Sequence, residues 1–205
     1  MLTIDTATTS VNTLQDYLHD AIAPRPIGLV STINKEGHVN LSPFSYFNLF
    51  SVNPPICVFS PTRKIPDNTT KHTLENIKEV GECVINVVTF NMVEQISKAS
   101  YSYPKNVNEF TESGLTPVTS ELVRPPRVLE SPIQFECTLQ QIIELGTDAG
   151  AGNLVIVHIR KIHIKESALD SSGKIDPTQL DLIARLGGDW YTRVTPKSLF
   201  SLKRG

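Results

Sequence analysis

Between Ala23 and Asn53 the chain reads APRPIGLVSTINKEGHVNLSPFSYFNLFSVN. Ile27, Leu29 and Ile33 alternate with Gly28, Val30 and Thr32, the two-residue period of a half-buried strand. Asn34-Lys35-Glu36-Gly37 is a turn whose glycine can take positive φ, so the stretch is read as a hairpin. Ile56 to Ser60, just after Pro54-Pro55, is a short continuous apolar run that starts a buried strand. Leu74, Ile77 and Val80 then recur at helical spacing, with Thr70 or Thr73 as a cap and Gly81 where the helix ends. Glu82 to Val88 is another strand, and Asn91 caps a second short helix through Ile96. Ile133 to Leu145 and Leu154 to Ile164 are two long strands joined by a glycine-rich hairpin loop, with a bulge or an edge at Arg160-Lys161. Leu169 to Pro177 forms a hairpin-like turn, and Arg185 to Tyr191 closes the fold.

The inventory is about six or seven strands with two short helices, spaced like an all-β barrel with excursions. Strands do not alternate with long helices, which argues against a doubly wound α/β domain. Ala99 to Arg127, rich in Ser, Tyr, Pro and Asn, is long for a bare connection and is read as a functional excursion. Residues 1–22 are polar, carry a short helix around Leu14 to Leu18 and wrap the surface of a single domain spanning residues 1–205.

Composition narrows the class. Hydrophobic content of 40% and charged content of 20% are those of an ordinary globular domain. A net charge of −2, with Lys and Arg scattered, lacks the basic stripe of a nucleic-acid binder and gives no pull towards an anionic membrane. The N-terminal MLTIDTATTSVNTLQ has neither a basic start nor an apolar run, so no signal peptide or membrane span is expected and the cytoplasm follows by default.

Cys57, Cys83 and Cys137 sit in apolar strand-like runs without CxxC spacing, which reads as buried, reduced and inert. His158 and His163, five apart on a strand, point to opposite faces, and no ligand set accompanies them, so no metal is expected. Gly150-Ala151-Gly152 lacks the third glycine and the following helix of a dinucleotide loop. With no nucleophile elbow present, the difficult chemistry of an enzyme here would belong to an organic cofactor.

Two stretches carry candidate binding chemistry. Ser42, Ser45 and Asn48 are interleaved with Phe44, Tyr46, Phe47 and Phe50, which suits a flat aromatic ligand with polar edges. Composition alone favours the plainer reading of this loop, a strand end whose aromatics fill the core and whose serines cap turns. Lys71-His72-Thr73 opens the helix, where free backbone N–H groups and the dipole favour a phosphate, with Arg63 and Lys64 adding charge. Plain capping with solvated lysines explains that stretch as well.

The ordered series PRPIGLVST, NLSPFSYFN, NPPICVFSP, KHTLENI, GECVINVV, YPKNVNEF, GLTP, VRPPRVLESPIQFEC, GKIDP and RLGGDWY resembles the flavin reductase-like, FMN-binding split-barrel family, flavoredoxin-type proteins included, from about Ala23 to Arg193. The resemblance implies a mainly β fold, a six-stranded antiparallel Greek-key split β-barrel with short peripheral helices, forming a homodimer with FMN at the subunit interface. It implies a flavin ring against Ser42 to Asn48 above Ser31 and Thr32, and a phosphate near Lys71 to Thr73. Arg25 belongs to the same motif series, and Arg63 and Trp190 join the cofactor set, with Trp190 and Tyr191 serving as site lining or dimer core. The family commonly has Asp where this chain has His72, whose partly protonated imidazole would suit an anion. The implied activity is hydride transfer from NADH or NADPH to flavin, then electron transfer to free flavin or a partner protein. Thr32, Ser45 and Asn48 would bond the ring edge, and no catalytic side chain is required. A flavoprotein electron carrier with poor nicotinamide oxidation is the alternative.

Overall fold

In the computed structural model, which describes residues 1–203, helix α1 (Val11–Ala21) leads into β1 (Arg25–Pro26), β2 (Gly28–Ile33), β3 (Val39–Phe44), β4 (Phe47–Val52) and β5 (Pro55–Phe59). There follow α2 (His72–Val80), β6 (Glu82–Val87), α3 (Val93–Ala99), α4 (Glu109–Ser113) and the short β7 (Pro117–Val118) and β8 (Arg127–Val128). The long β9 (Ile133–Glu144) and β10 (Asn153–Ile164), the turn of helix α5 (Pro177–Leu180), and β11 (Ile183–Arg185) and β12 (Tyr191–Arg193) complete the order. Seven strands make one antiparallel sheet in the order β3-β2-β6-β9-β10-β5-β4. A second sheet, β1-β11-β12, stands beside it.

The mainly β expectation holds, whereas the strand count of the main sheet differs from the six expected. The main sheet has seven strands and is open: β3 and β4 are its two edges, and no ladder joins them. Only Ser45 and Tyr46 separate those edges in the chain, so the sheet has to curl until its borders meet at that corner. The seventh strand, β4, falls in the aromatic stretch read from sequence as loop.

The half-buried period expected for β2 is also overturned. All of Gly28 to Thr32 is buried, because β2 is an inner strand covered on both faces. Val30 faces the interior core with Phe44, Phe59, Leu74, Ile77 and Val157. Leu29, with Ile27, faces an outer core formed with Leu41, Met92, Ile96 and Phe110. Gly28 is required here: a Cβ would lie 3.2 Å from the Phe47 ring and 3.1 Å from Ile85. The three cysteines all lie in the interior core. Burial pushes the Cys57 thiol up to about 11, consistent with an inert thiol.

Local signals were mostly well placed. Gly81 closes α2 in the left-handed conformation at φ 74°, and the register of β10 shifts between Ile159 and Lys161, leaving Arg160 as the bulge. The start of α2 differs. Lys71 is the cap and has no side-chain capping bond. Thr73 lies inside the helix, and Thr70 bonds Glu75 instead. Asn91 sits within a short 3₁₀ turn, Phe90–Met92, that precedes α3.

Part of the 99–127 excursion is structural. Glu136 of β9 is fully buried and accepts backbone N–H bonds from Glu121, Leu122 and Val123 at 2.9, 2.6 and 3.2 Å. His163 Nε2 lies 2.6 Å from the same carboxylate. Burial alone would raise the Glu136 pKa, but these donors outweigh it and hold the carboxyl below its ordinary value of 4.5. A depressed folded-state pKa contributes stability that is present above the unfolded value and lost as pH falls through the folded one. Glu136→Gln should therefore lower unfolding stability near neutral pH by about 2–3 kcal/mol. Urea titrations should show the gap between wild type and variant closing as pH falls below 4.5; a gap independent of pH would disprove the ionic role.

Candidate functional site

The edge-to-edge corner is where the site forms. A cavity of about 160 Å³ lies against Phe44, Ser45, Tyr46, Ser60, Thr62 and Lys71. It adjoins a polar cavity of about 410 Å³ lined by Ser42, Thr62, Arg63, Lys71, His72 and Thr73, with Tyr101 and Tyr103 from the excursion. On its other side lies an apolar cavity of about 550 Å³ that includes Arg25, Ser45, Tyr46, Phe47, Asn48 and Phe50. Thr62 lines all three, so the cavities adjoin along one trough.

The polar end is built by α2. Leu74 and Glu75 donate their N–H groups to the Lys71 carbonyl, at 2.9 and 3.2 Å, while the N–H groups of His72 and Thr73 precede the first intrahelical bonds. No side chain caps them. The Lys71 ammonium has no hydrogen-bond or ion-pair partner among the described residues, although the side chain is half-buried. Burial, and then the Lys64 charge, lower its pKa. An unpaired, partly desolvated ammonium beside bare helix N–H groups is a site with strong affinity for an anion.

His72 differs from expectation. Burial, followed by the charges of Lys64, Lys105 and Lys71 against the opposing Glu75, sets its pKa below the ordinary 6.5. Protonation is therefore less favoured here than for a free imidazole, whereas a partly protonated ring was expected. Thr73 is buried and its hydroxyl donates to Asn40 Oδ1 at 2.6 Å, while Asn40 Nδ2 reaches the buried Glu109 carboxylate. This chain fixes α2 against β3 and α4.

The remaining predicted residues divide clearly. Arg25 is 6% exposed, and its guanidinium donates to the carbonyls of His19, Ile22 and Leu186 at 2.6, 2.7 and 2.9 Å, with Ser45 Oγ at 3.4 Å. It is a latch holding α1 and the β11–β12 turn at the corner. Phe44 packs against Phe59 in the core, the tilted rings 5.3 Å apart, and also lines the smallest of the three cavities. Asn48 is exposed and its side chain accepts from the Leu49 N–H at 2.8 Å. Arg63 bonds Asn68 and staples the loop over the polar cavity. Ser31 and Thr32 are fully buried and line none of these cavities; Thr32 accepts from Asn76, and Ser31 Oγ has no partner. Trp190 is 75% exposed and also lies outside the trough.

Residues not singled out from sequence complete the walls. His19 of α1 lies 2.8 Å from the Tyr46 hydroxyl, its ring edge-on to the tyrosine. Gln15, Tyr101 and Tyr103 close the polar end. Tyr103 opens the YPKNVNEF motif and Tyr101 lies in the excursion read as functional, whereas Gln15 and His19 come from a segment with no motif.

Residues 21–179 match the protein family described as the flavin reductase like domain. The chain belongs to the flavin reductase-like family. Among curated relatives, a protein of Aquifex aeolicus of no stated activity is 34% identical over 90% of this chain and 92% of its own. Among solved structures, nitrilotriacetate monooxygenase component B from Bacillus cereus superposes with a TM-score of 0.91 at 33% identity, covering 98% of each chain. The 2-nitrobenzoate 2-nitroreductase of Pseudomonas fluorescens gives 0.86 at 25% identity, over 98% of this chain and 96% of that one. Flavoredoxin of Desulfovibrio vulgaris, at 24% identity and a TM-score of 0.74, shares the fold over 88% of this chain and 90% of its own.

An anion placed against His72 raises its pKa, so binding takes up a proton and should tighten as pH falls from about 8 to about 6. FMN affinity measured by fluorescence quenching across that range should show a steeper gain for wild type than for His72→Gln. Equal slopes would mean that the imidazole does not face the anion.

Proposed function

We propose that this protein is an FMN-binding oxidoreductase that accepts hydride from NADH or NADPH and passes electrons to free flavin or a partner. The observation that carries the reading is the unpaired Lys71 ammonium beside the uncapped start of α2, in a trough that runs on to the aromatic corner at Phe44 to Tyr46. The donor set fits FMN: N–H groups and an ammonium for a phosphate, small polar residues along the middle, and aromatic and polar edges for a flat ring. FMN, when bound, supplies hydride acceptance and onward electron transfer.

The chain's residues hold and orient. Lys71 and the N–H groups of His72 and Thr73 would grip the phosphate, while the Thr73-Asn40-Glu109 chain keeps those groups aimed into the cavity. Ser42, Ser45 and Thr62 offer hydroxyls along the trough, and Tyr46, fixed by His19, walls the apolar side. Arg25, with its donors committed to carbonyls, holds the corner and leaves a fixed positive charge near it. No side chain has to move a proton for hydride to transfer.

A homodimer is part of the same reading. Helix α1 buries none of its residues within one chain, and Leu18 and Ile22 stand exposed beside Phe50 and Leu145 around the apolar cavity. On the same edge strand Val52 is 79% exposed. An amphipathic helix and an apolar edge strand left open in this way fit a second copy of the chain.

Anaerobic NADH or NADPH should bleach the visible flavin absorption of the FMN-loaded protein. Reduction by dithionite but by neither nicotinamide would instead make it an electron carrier. Lys71→Met should weaken FMN binding at least about tenfold, through loss of one charge-assisted contact; unchanged affinity would remove the phosphate assignment. Sedimentation should give the mass of two chains for wild type and of one for Phe50→Asp, with weaker FMN binding in the variant. A monomeric wild type that holds FMN equally well would defeat the dimer part.

A further inference from the structure

The small sheet sets Arg185 of β11 directly opposite Arg25 of β1. Like charges facing each other across an antiparallel pair repel, so the arrangement persists only with compensation. Arg25 is satisfied by three carbonyls and Ser45, not by a carboxylate. The Arg185 guanidinium lies 4.5 Å from the centre of the Tyr191 ring and donates to the Gly188 carbonyl. Among the described residues no carboxylate comes within ion-pair distance of it. The other charged or titratable groups around it are Asp189 on the same cavity rim, and His19 and Asp20 of α1. Burial chiefly lowers the pKa values of Arg25 and His19, and the nearby Arg185 charge acts in the same direction.

Arg185 lines a cavity of about 530 Å³ separate from the trough. Its floor is Ile27, Pro43 and Ile96, and Tyr101 and Tyr191 stand at its rim. It shares Ser45 with the aromatic corner, and Ser100 and Tyr101 with the polar cavity, so whatever occupies it sits beside the flavin groove.

From this arrangement we propose that the cavity binds the second, exchanging substrate: a small molecule with a flat apolar body on the Ile27-Pro43-Ile96 floor and an oxyanion held by Arg185. The inference deepens the proposed function and rests on it for the statement that the bound molecule exchanges electrons. The planar guanidinium is suited to a carboxylate or phosphate held through two parallel bonds, and stacking on Tyr191 orders it in advance. An oxyanion there also supplies the negative charge that the facing arginines lack. Arg185 is then the residue that selects charged substrates over neutral ones of the same shape.

Calorimetry with sodium benzoate and with phenyl phosphate, on wild type, Arg185→Gln, Arg185→Lys and Lys71→Met, tests this. At least one probe should lose about tenfold or more in affinity in Arg185→Gln, recover partly in Arg185→Lys and be unaffected by Lys71→Met. Loss confined to benzoate assigns an aromatic acid. Loss confined to phenyl phosphate assigns a phosphorylated substrate such as a nicotinamide dinucleotide, whose KM should rise in parallel. Failure of both probes to bind wild type, or a loss confined to Lys71→Met, overturns the proposal. FMN titration of the same proteins reads the flavin assignment separately: wild type and Arg185→Gln should bind it within about twofold of each other. Absence of FMN binding would remove that assignment while the probe experiment still reports on Arg185.

Discussion

The constraint on which the structure depends is the shortness of the link between the two edges of its main sheet. From Phe44, which ends β3, to Phe47, which begins β4, the chain can span at most about 11 Å, yet five strands lie between them in the sheet order. The sheet can satisfy this only by curling into a split barrel. The curl gathers Phe44, Phe59, Ile85, Val155 and Val157 into one interior. At the corner itself the edges meet without pairing, and the Tyr46 carbonyl accepts the Ser60 N–H at 2.9 Å. A gap in the ladder, lined by small polar and aromatic residues, is the natural place for a groove.

Everything around the corner serves to hold it. Arg25 ties α1, the β11–β12 turn and Ser45 together through bonds to carbonyls and a hydroxyl, and burying that guanidinium is tolerable because its donors are satisfied. Gly187 lies so close to Asp20 of α1 that any side chain there would collide with it. On the opposite side, the buried Thr73-Asn40-Glu109 chain fixes the start of α2. Lys71 in one cavity and Arg185 in another have no carboxylate partner among the described residues and take no part in this scaffolding.

The chain by itself determined the strands and their turns. Alternation in β9 and β10, the αL glycine after α2 and the bulge at Arg160 are local features, set by side-chain period and backbone sterics within a few residues. The anion-competent start of α2 was legible for the same reason, since helix termini bring their own unpaired N–H groups. The ordered motif series pointed to the family that the match to residues 21–179 then established.

What only the tertiary structure decided were the facts that depend on which surfaces meet. Period two made β2 look half-buried, but an inner strand between two cores is buried on both faces. Ser31 and Thr32, expected beneath a ligand, are both fully buried, and Thr32 accepts from Asn76 of α2, which folds back over that strand. Arg25, in the family's motif series, spends its bonds on carbonyls distant in sequence, including that of Leu186. Arg185 opens the RLGGDWY motif, but nothing in the chain set it facing Arg25; its significance comes from standing opposite that residue over a cavity. Pattern fixes how each segment folds, whereas burial and charge pairing are properties of contacts between segments, and those exist only once the chain has closed on itself.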